Sequence, residues 1–469
     1  MKNQKLSCIL LTLAILLGLS SYSSAQISSP GKDWGGLTQY TAVGAVQDSV
    51  FVFFSSTTSP KKGTLKAQFS DGSLSNFIWY KFDEDHPTSV NHFLPIDTVT
   101  GVTVSNLTNL DRGGYKVSIT RISDNAILED SCWVLIDDVA ITNIEVDNNC
   151  NFLYLNTRLQ PNRYDIVNDY FTYWDLSKAT HPEISTLGGN YFKKLTWNAS
   201  NSMISVSSIT TLTLLLEDPA PSYDSKYNIQ VINPFGRKLT YETALLPAKA
   251  PMADFKIYTN SNGTWSDGGD APSGEAPLTL KFESKTINAD SIYWQIKNDE
   301  TLFLHGGDSI VWRDSALFTD RIESYPTPEK MIPGTYPVSH IAVKVNSGCR
   351  DTMIINVVVD TSGIKPDAIP NVFSPNGDGA NEHFKIKQPE TNVSSIKSFH
   401  VYIFGRAGQR VYDYSGDPKT WEGWNGKIEG NKGDAPEGVY FYIIEAVGWD
   451  NKKFKGGKYK GFFYLYRGK

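Results

Sequence analysis

The stretch NFIWYKF, residues 76–82, decides the fold because it describes a short strand with a tryptophan inside it. Two similar stretches follow, YFTYWDL at residues 170–176 and SIYWQIK at residues 291–297. Aromatic and β-branched residues of this kind are enriched in strands. We therefore expect Trp79, Trp174 and Trp294 to mark equivalent strands of a repeated β unit.

A second signature follows each tryptophan strand, and in it a tyrosine begins another strand. The three stretches are GGYKVSI at 113–119, SKYNIQV at 225–231 and GTYPVSH at 334–340. A central tryptophan strand followed by a tyrosine-led strand is the layout of an immunoglobulin-like sandwich. Helical periodicity is scarce elsewhere, so the chain is predicted to be all-β, with these aromatic residues filling the space between sheets.

The third tyrosine strand departs from simple alternation. Tyr336 and Val338 share one face, whereas Ile341, Val343 and Val345 follow with the opposite parity. Because a shift of one residue reverses every side chain, this pattern predicts a β-bulge near His340.

The N-terminus has the three parts of a secretory signal peptide: basic residues 1–5, an apolar run at 6–19 and small residues ending at Ala25. No later apolar run approaches the length of a membrane span, so no transmembrane segment is expected. The predicted organisation is a signal peptide at 1–25, β-sandwiches at 26–138, 139–247 and 248–360, and a C-terminal domain at 361–469.

The third sandwich resembles the polycystic-kidney-disease-type (PKD-like) domains of exported bacterial proteins. The resemblance is carried by PSGEAPLTLKFES (272–284), Trp294, IPGTYPVSHIAVKV (332–345) and GCRDT (348–352). It implies a spacer or interaction module without chemistry of its own. The first two sandwiches resemble immunoglobulin-like domains only in general layout.

The last hundred residues carry five ordered motifs rich in aromatic residues and glycine. They are IPNVFSPNGDGANEHFKI (369–386), SFHVYIFGRAGQRVYDY (398–414), WNG (424–426), APEGVYFYIIEA (435–446) and KGFFYLYRGK (460–469). Together they resemble the gliding motility-associated C-terminal domain, the type B sorting domain of the type IX secretion system. The resemblance implies export past the outer membrane and contact with the type IX translocon and a PorP/SprF-like outer-membrane protein. APEGVYFY also repeats the strand entry of the sandwiches, Pro-x-Gly-x-Tyr, which predicts a small β-sandwich.

The family motif can be placed residue by residue. Its positions here are Asn376, Gly377, Asp378, Gly379, Asn381, Arg406, Gly408, Gln409, Gly438, Tyr440 and Arg467. Ala407 stands where the family usually has tryptophan, and Asn425 stands where it usually has aspartate. The change at Ala407 is expected to remove packing, which makes this a divergent member.

The stretch SPNGDGANEHF, residues 374–384, has two interpretations. Asn376, Asp378, Asn381 and Glu382 are candidate calcium ligands, since they bring oxygen atoms together over a few positions. An EF-hand loop, however, requires glycine at its sixth position, which Asn381 occupies here. We favour a glycine-enabled turn held by Asn and Asp side chains bonding their own backbone.

Motifs for catalysis and cofactor binding are missing from the sequence. It contains no His-Glu-x-x-His, no Gly-x-Ser-x-Gly and no phosphate-binding Gly-x-x-x-x-Gly-Lys-Ser/Thr. The formal net charge of −6 gives no nucleic-acid footprint. Three cysteines follow the predicted cleavage site, and Cys132 and Cys150 are a candidate disulfide pair. No catalytic or cofactor-binding residue is predicted.

These patterns favour a non-enzymatic secreted or cell-surface protein with a binding or adhesion role toward a surface, glycan or protein ligand. One alternative is an accessory component of the type IX secretion or gliding machinery. Another is a glycan or peptide hydrolase, because glycosidase carboxylates lie far apart in sequence. A lysine run, Lys452, Lys453, Lys455, Lys458 and Lys460, is either a solvated hairpin or part of a translocon-recognition surface.

Overall fold

The computed structural model describes residues 27–40, 46–87, 89, 91–160, 171–176, 184–186, 192–206, 209–261, 263–297, 310–317, 322–324, 332–430, 433–454 and 459–468. The predicted signal peptide, Lys455 and Lys458 lie outside the described residues.

Strands make up almost all of the regular structure, which confirms the all-β prediction. The chain divides into two compact units. The first comprises Met1–Asn148, Phe152–Glu217 and Asp224–Leu246, and the second comprises Asn149–Asn151, Asp218–Tyr223 and Pro247–Lys469. The four-domain division drawn from the sequence stays a prediction.

The first unit begins with a sandwich of nine strands. They are β1 (Ile27–Ser28), β2 (Trp34–Leu37), β3 (Ser49–Phe54), β4 (Gly63–Gln68), β5 (Ser75–Phe82), β6 (Phe93–Val102), β7 (Val104–Leu110), β8 (Gly113–Arg121) and β9 (Ile127–Asp137). One sheet has the order β1-β4-β7 and the other β2-β3-β9-β8-β5-β6. Only β3 and β9 pair in parallel among these strands.

The core of this first sandwich is built around Trp79, as its sequence predicts. The Trp79 side chain is fully buried between the sheets, and its Nε1 donates to Ser105 Oγ at 2.9 Å. Val117 lies opposite Trp79 on β8. Tyr115, two residues earlier, is buried and donates its hydroxyl to Asp111 O at 2.9 Å. This bond is the tyrosine corner of immunoglobulin-like folds.

A second sandwich follows in the same unit. Its strands are β10 (Ala140–Asn148), β11 (Phe152–Gln160), β12 (Thr172–Trp174), β13 (Ile184–Thr186), β14 (Lys194–Ala199), β15 (Thr213–Glu217), β16 (Tyr227–Ile232) and β17 (Lys238–Glu242). The sheet β10-β11-β15 faces the sheet β14-β16-β17 across a shared core, and β12 and β13 form a separate pair.

The tryptophan assignment in this second sandwich was wrong. Trp197 on β14 fills the core, where it is buried opposite Ile229. Trp174 lies on β12 and packs instead against a cluster shared with the first sandwich, where its carbonyl accepts a hydrogen bond of 3.1 Å from Trp133 Nε1. The aromatic run around Trp174 therefore belongs to the junction of the two sandwiches.

A buried charge also joins the first two sandwiches. Asp137, at the end of β9, is fully buried. It pairs with Arg237 Nη1 at 3.0 Å and accepts a bond of 2.7 Å from Asn233 Nδ2. Arg237 Nη2 donates to Ser55 O at 2.7 Å. Because a buried carboxylate is stable only when it is paired and hydrogen-bonded, these contacts make the junction specific.

The second unit begins with a third sandwich. Its strands are β18 (Phe255–Ser261), β19 (Thr264–Asp267), β20 (Ser273–Gly274), β21 (Leu280–Ser284), β22 (Ser291–Lys297), β23 (Ile310–Leu317), β24 (Ile322–Ser324), β25 (Gly334–Lys344) and β26 (Cys349–Val359). The sheets have the orders β19-β18-β21-β24 and β20-β26-β25-β22-β23. Trp294 is buried in the core between them.

The β-bulge predicted near His340 was wrong. Strand β25 pairs with β22 and with β26 without a shift in register. His340 is fully buried on the same face as Tyr336 and Val338. Its ring stacks on Trp294 with centroids 3.8 Å apart. The sequence pattern misled because a histidine occupies a core position that an apolar residue was expected to fill.

Two hydroxyl groups form hydrogen bonds with the buried His340 ring and so reduce the cost of burying it. Ser284 Oγ and Thr286 Oγ1 lie 2.9 and 2.7 Å from His340 Nε2. Burial lowers the pKa of the His340 imidazole to about 4. The side chain is therefore neutral in the core at physiological pH, where it acts as a hydrogen-bonded packing residue.

The remaining strands form the C-terminal region. They are β27 (Gly363–Ile364), β28 (Val372–Phe373), β29 (Val393–Ser394), β30 (Ile396–Phe404), β31 (Arg410–Gly416), β32 (Gly438–Gly448) and β33 (Lys460–Leu465). A 3-10 turn at Pro366–Ala368 and a single-turn helix α1 at Pro389–Asn392 accompany them. The main sheet has the order β28-β33-β32-β30-β31, and β27 pairs with β29.

The candidate disulfide between Cys132 and Cys150 was wrong. Cys150 is bonded to Cys349, 199 residues away. Cys132 is free and buried, because its side chain points into the core of the first sandwich from β9. A residue on the inner face of a strand cannot reach a surface turn without moving the backbone.

We predict that His340 makes the third sandwich sensitive to acid. The pKa of His340 is lower in the folded protein than its ordinary value of 6.5, so protonation favours unfolding. This contribution to stability is complete above pH 6.5 and is lost as the pH falls towards 4. Hydrogen exchange of the β25 amides should report a loss of about 3 kcal/mol over this interval.

The variant His340→Gln keeps hydrogen-bonding capacity but cannot titrate in this range. Once intrinsic exchange rates are corrected for pH, its β25 amides should lack this component. An equal pH dependence in wild type and variant would contradict the assignment.

Candidate functional site

The register of the C-terminal sheet brings the sequence motifs to one end. Phe373 pairs with Leu465, Leu465 pairs with Gly438, and Phe404 pairs with Phe441. The end of β28, the end of β33, the start of β32 and the end of β30 therefore lie side by side. We call this end of the sheet, with the loop 374–384, the turn 405–409, Gly438 and Arg467, the motif end.

Arg467 connects three segments of the motif end. Its guanidinium donates to Pro375 O at 3.1 Å, to Gly426 O at 2.9 Å and to Ala435 O at 3.3 Å. The Arg467 side chain is 24% exposed. One charged fork thus satisfies carbonyl oxygens from the first, third and fourth sequence motifs, which explains why residues far apart in the chain belong to one pattern.

Gly426 lies against this arginine. Its φ is +79°, and a Cβ at this position would lie 2.9 Å from Pro375 Cγ and 3.0 Å from Arg467 Nη2. A larger residue would meet both strain and a close contact, so glycine is required here.

The loop 374–384 is held by its own side chains. Glu382 accepts bonds from Gly377 N at 3.1 Å and Gly379 N at 3.0 Å. Asp378 accepts from Ala380 N at 2.8 Å and from Asn376 Nδ2 at 3.0 Å. The bond from Ala380 N lowers the pKa of the Asp378 carboxyl.

The two glycines of this loop have positive φ values, +79° at Gly377 and +85° at Gly379, and Asn381 has +54°. The geometry is that of the turn favoured from the sequence. The four candidate calcium ligands are brought together, but both carboxylates face N–H donors. Calcium binding at Asn376, Asp378, Asn381 and Glu382 stays a prediction.

The turn 405–409 closes the hairpin between β30 and β31. Gly408 N donates to Gly405 O and Gly405 N donates to Gln409 O, both at 2.9 Å. The φ of +81° at Gly408 explains the glycine. Arg406, Ala407 and Gln409 are exposed. Ala407 lies in the exposed turn, and the loss of packing expected from its small size stays a prediction.

Strand β32 enters the sheet through Gly438 and Tyr440. Gly438 has a φ of +144°, and the Tyr440 hydroxyl donates to Pro436 O at 2.7 Å. Behind this entry the inner face carries a dense aromatic core. Phe384 stacks on Phe463 with centroids 3.9 Å apart, and the fully buried Trp424 donates its Nε1 to Lys427 O at 2.7 Å.

The other face of the same sheet is apolar and uncovered by the described residues. Five neighbouring side chains on it, Val372, Phe441, Ile443, Phe462 and Tyr464, are between 40% and 55% exposed. Cross-strand pairing joins Val372 to Tyr464 and Phe441 to Phe462. We call these five residues the outer apolar face.

The outer apolar face is not among the features expected from the sequence, although the sequence carries a signal for it. VYFYII in β32 and FFYL in β33 are continuous apolar runs. A strand with one solvated face alternates apolar and polar residues, whereas a continuous run indicates two covered faces. The aromatic residues of β32 and β33 therefore serve both the core and the outer face.

The basic hairpin lies at the opposite end of β32. Lys452 is an exposed residue that pairs with Asp450 at 3.2 Å, and its carbonyl accepts a bond of 2.9 Å from Gly448 N. Lys453 is exposed, and Lys460 pairs with Ile443 in the sheet. Lys452 and Lys453 therefore lie in a solvated turn, whereas Lys460 begins strand β33 beside Ile443 of the outer apolar face.

One known protein family matches the C-terminal region of the chain. Residues 368–465 match the CHU_C Type IX secretion signal domain. The match covers the first four sequence motifs and the fifth as far as Leu465, and it indicates a protein that the type IX system exports to the cell surface or the medium. The match confirms the resemblance to a type IX sorting domain that the motifs indicate. No curated protein matches the chain.

Similarity to solved structures is weak. One is the N-terminal eight Ig domains of Down Syndrome Cell Adhesion Molecule, at 10% identity, TM-score 0.26, and coverage of 88% of this chain and 52% of that chain. The chicken CNTN1 FN1-FN3 domains are 9% identical with a TM-score of 0.26, and the match covers 70% of this chain and 99% of that chain. Dimeric latent PorU from Porphyromonas gingivalis is 12% identical with a TM-score of 0.17, and the match covers 70% of this chain and 34% of that chain. The chain spans about half the length of the first, and such scores support no functional conclusion.

Two absences hold for the residues that the structure describes. In that part of the chain, no group of three or more His, Cys, Asp or Glu side chains could hold a metal ion. None of its helices has the length and hydrophobicity to cross a bilayer.

We predict that Arg467 stabilises the motif end. In Arg467→Lys a single ammonium group cannot reach three carbonyl oxygens, so the free energy of unfolding of the C-terminal region should fall by about 2 kcal/mol. Pulse proteolysis of the mature protein in urea measures this. The control Arg406→Lys changes an exposed arginine in the neighbouring turn and should stay within about 0.5 kcal/mol of wild type. Equal stability of the two variants would contradict the role of Arg467.

Proposed function

We propose that this protein is a non-enzymatic binding or adhesion protein of the cell surface or medium, exported through its C-terminal secretion signal domain. The observation that carries the proposal is the match of residues 368–465 to that domain. The contacts of Arg467 support it, because they join the motifs of the secretion signal into one folded end of a sheet.

We further propose that the secretion machinery docks on the outer apolar face. A contiguous exposed apolar patch on a water-soluble region usually marks an interaction site. Phe441, Phe462 and Tyr464 supply aromatic anchors of the kind that dominate binding energy at interfaces. A PorP/SprF-like outer-membrane protein is the partner that the family resemblance implies.

The three preceding sandwiches are the proposed passenger. One tryptophan of each sandwich fills its core, and Trp79, Trp197 and Trp294 are all buried. Immunoglobulin-like frameworks present binding surfaces on many unrelated proteins, and the fold alone carries no chemistry. A surface, glycan or protein ligand is therefore the proposed target of these sandwiches.

Deletion of residues 365–469 tests the export role. We expect the truncated protein to remain in the periplasm while unrelated type IX cargo is secreted normally. A general secretion defect would instead favour the alternative, an accessory component of the secretion or gliding machinery. Secretion of the truncated protein would contradict the proposal.

Substitutions on the outer apolar face test the docking surface. The double variant Phe441→Thr, Phe462→Thr keeps strand-forming residues at exposed positions, so it should fold but reach the medium or surface at least tenfold less than wild type. The control Ile127→Thr removes an apolar side chain that is 64% exposed in the first sandwich, and it should be exported normally. Normal export of the double variant would contradict docking on this face.

The basic hairpin is compared in the same assay. Lys452→Glu with Lys453→Glu reverses two exposed charges without touching the outer apolar face. Wild-type export of this variant is expected for a solvated hairpin. Loss of export would contradict this expectation and would indicate that the secretion machinery recognises the lysines.

A further inference from the structure

The last part of strand β25 in the third sandwich carries apolar residues on both faces. Tyr336, Val338 and Ala342 point into the core. Because the register of β25 is continuous, Ile341 and Val343 lie on the outer face. The apolar residues that suggested a bulge from the sequence are therefore a second apolar face. An antiparallel sheet with one solvated face normally carries polar residues there.

A tyrosine stands at the centre of this outer face. Tyr293 on β22 pairs with Ile341, and the Tyr293 side chain is 43% exposed. Val343 lies one pair further along the same face, opposite Ser291. Tyr293, Ile341 and Val343 together form an apolar platform on the sheet surface.

Two arginines flank the platform. Arg313 on β23 pairs with Gln295, and Arg350 on β26 pairs with Val343. Strands β23 and β26 are separated by β22 and β25, so the two arginines are about 14 Å apart across the strands at roughly 4.8 Å per strand spacing. Arg313 lies level with Ser339 of β25 and Arg350 with Val343, which adds about 14 Å along the strands and brings the backbone separation to about 20 Å. Both arginines are exposed.

The platform and its arginines line one open depression of about 590 Å³. Its lining residues include two cationic side chains and no anionic one. In the part of the chain that the structure describes, neither Arg313 nor Arg350 has a carboxylate partner. By contrast, Arg121, Arg158 and Arg237 each pair with an aspartate or glutamate. The depression therefore offers unpaired positive charge beside an exposed aromatic ring.

We propose that this face of the third sandwich binds an acidic polysaccharide built from uronic acid sugars. The C–H face of a pyranose ring would lie on Tyr293 and the apolar platform. The sugar carboxylates would accept paired hydrogen bonds from the planar guanidinium groups. The separation of the two arginines requires a chain of several sugars rather than a monosaccharide.

Both features of the site are needed to select this ligand. A neutral glycan would cover the tyrosine but would leave both guanidinium groups unpaired. An acidic peptide would pair with the arginines but has no rigid apolar face to cover the platform. The inference deepens the proposed binding role by naming a ligand class, and it makes the third sandwich a binding module rather than a spacer.

Binding of the mature full-length protein to polygalacturonate tests the inference, because the measurement on purified protein does not depend on the export route. Isothermal titration at low salt should detect binding that weakens at least tenfold in 0.5 M NaCl, since charge pairs at a surface are screened. Arg313→Gln with Arg350→Gln should lower the affinity at least tenfold, and Tyr293→Ser should lower it several-fold. The control Arg158→Gln removes an exposed arginine of the second sandwich and should bind like wild type.

Comparison polymers separate the remaining outcomes. A neutral galactan and polyglutamate should each bind at least tenfold more weakly than polygalacturonate. Equal binding of polyglutamate would overturn the inference in favour of an acidic protein partner. Unchanged affinity of Tyr293→Ser, or no binding of polygalacturonate, would also overturn it, provided that thermal denaturation shows the variants to be folded.

Discussion

A hydrogen bond from a tyrosine hydroxyl to the carbonyl oxygen four residues earlier recurs at the entry to three strands. It joins Tyr115 to Asp111, Tyr336 to Ile332 and Tyr440 to Pro436, at 2.9, 2.8 and 2.7 Å. A buried phenol needs a partner for its hydroxyl group. Because that partner lies in the preceding turn, the bond fixes the residue at which the strand begins and the face on which every later side chain falls. The inner cores and the outer faces both follow from this choice of register.

The register leaves two sheets with apolar residues on an outer face, and the chemistry of the two faces differs. On the C-terminal sheet the exposed residues include Phe441, Phe462 and Tyr464, and the motif end lies beside them. On the third sandwich a single tyrosine is flanked by Arg313 and Arg350. A surface made of five neighbouring uncharged apolar side chains suits a protein partner, whereas separated guanidinium groups around one ring suit an anionic chain. The two faces therefore support separate roles, one in export and one in ligand binding.

Local sequence was sufficient for the β class, the tyrosine strands and the turn at Gly377 and Gly379, because each depends on residues within a few positions. It was insufficient wherever the deciding contact came from far along the chain. His340 is accepted in the core because Ser284 and Thr286 supply hydroxyl groups to its ring. Cys150 finds its partner 199 residues away, and the role of Arg467 depends on carbonyl oxygens of three separate loops. Trp174 lies in the more aromatic stretch of sequence, yet strand pairing places Trp197 in the core and Trp174 at the junction.

The central claim is that residues 361–469 carry the export address and that the rest of the chain is passenger. The most direct measurement places these residues, behind a Sec signal peptide and an unrelated reporter that folds in the periplasm, in a bacterium with a type IX system. Protease accessibility of the reporter on intact cells, together with its amount in the medium, gives the result. The account predicts that the reporter reaches the surface or the medium and that the same fusion with Phe441→Thr and Phe462→Thr stays in the periplasm. Periplasmic retention of the unmodified fusion, with native cargo exported normally, would contradict it.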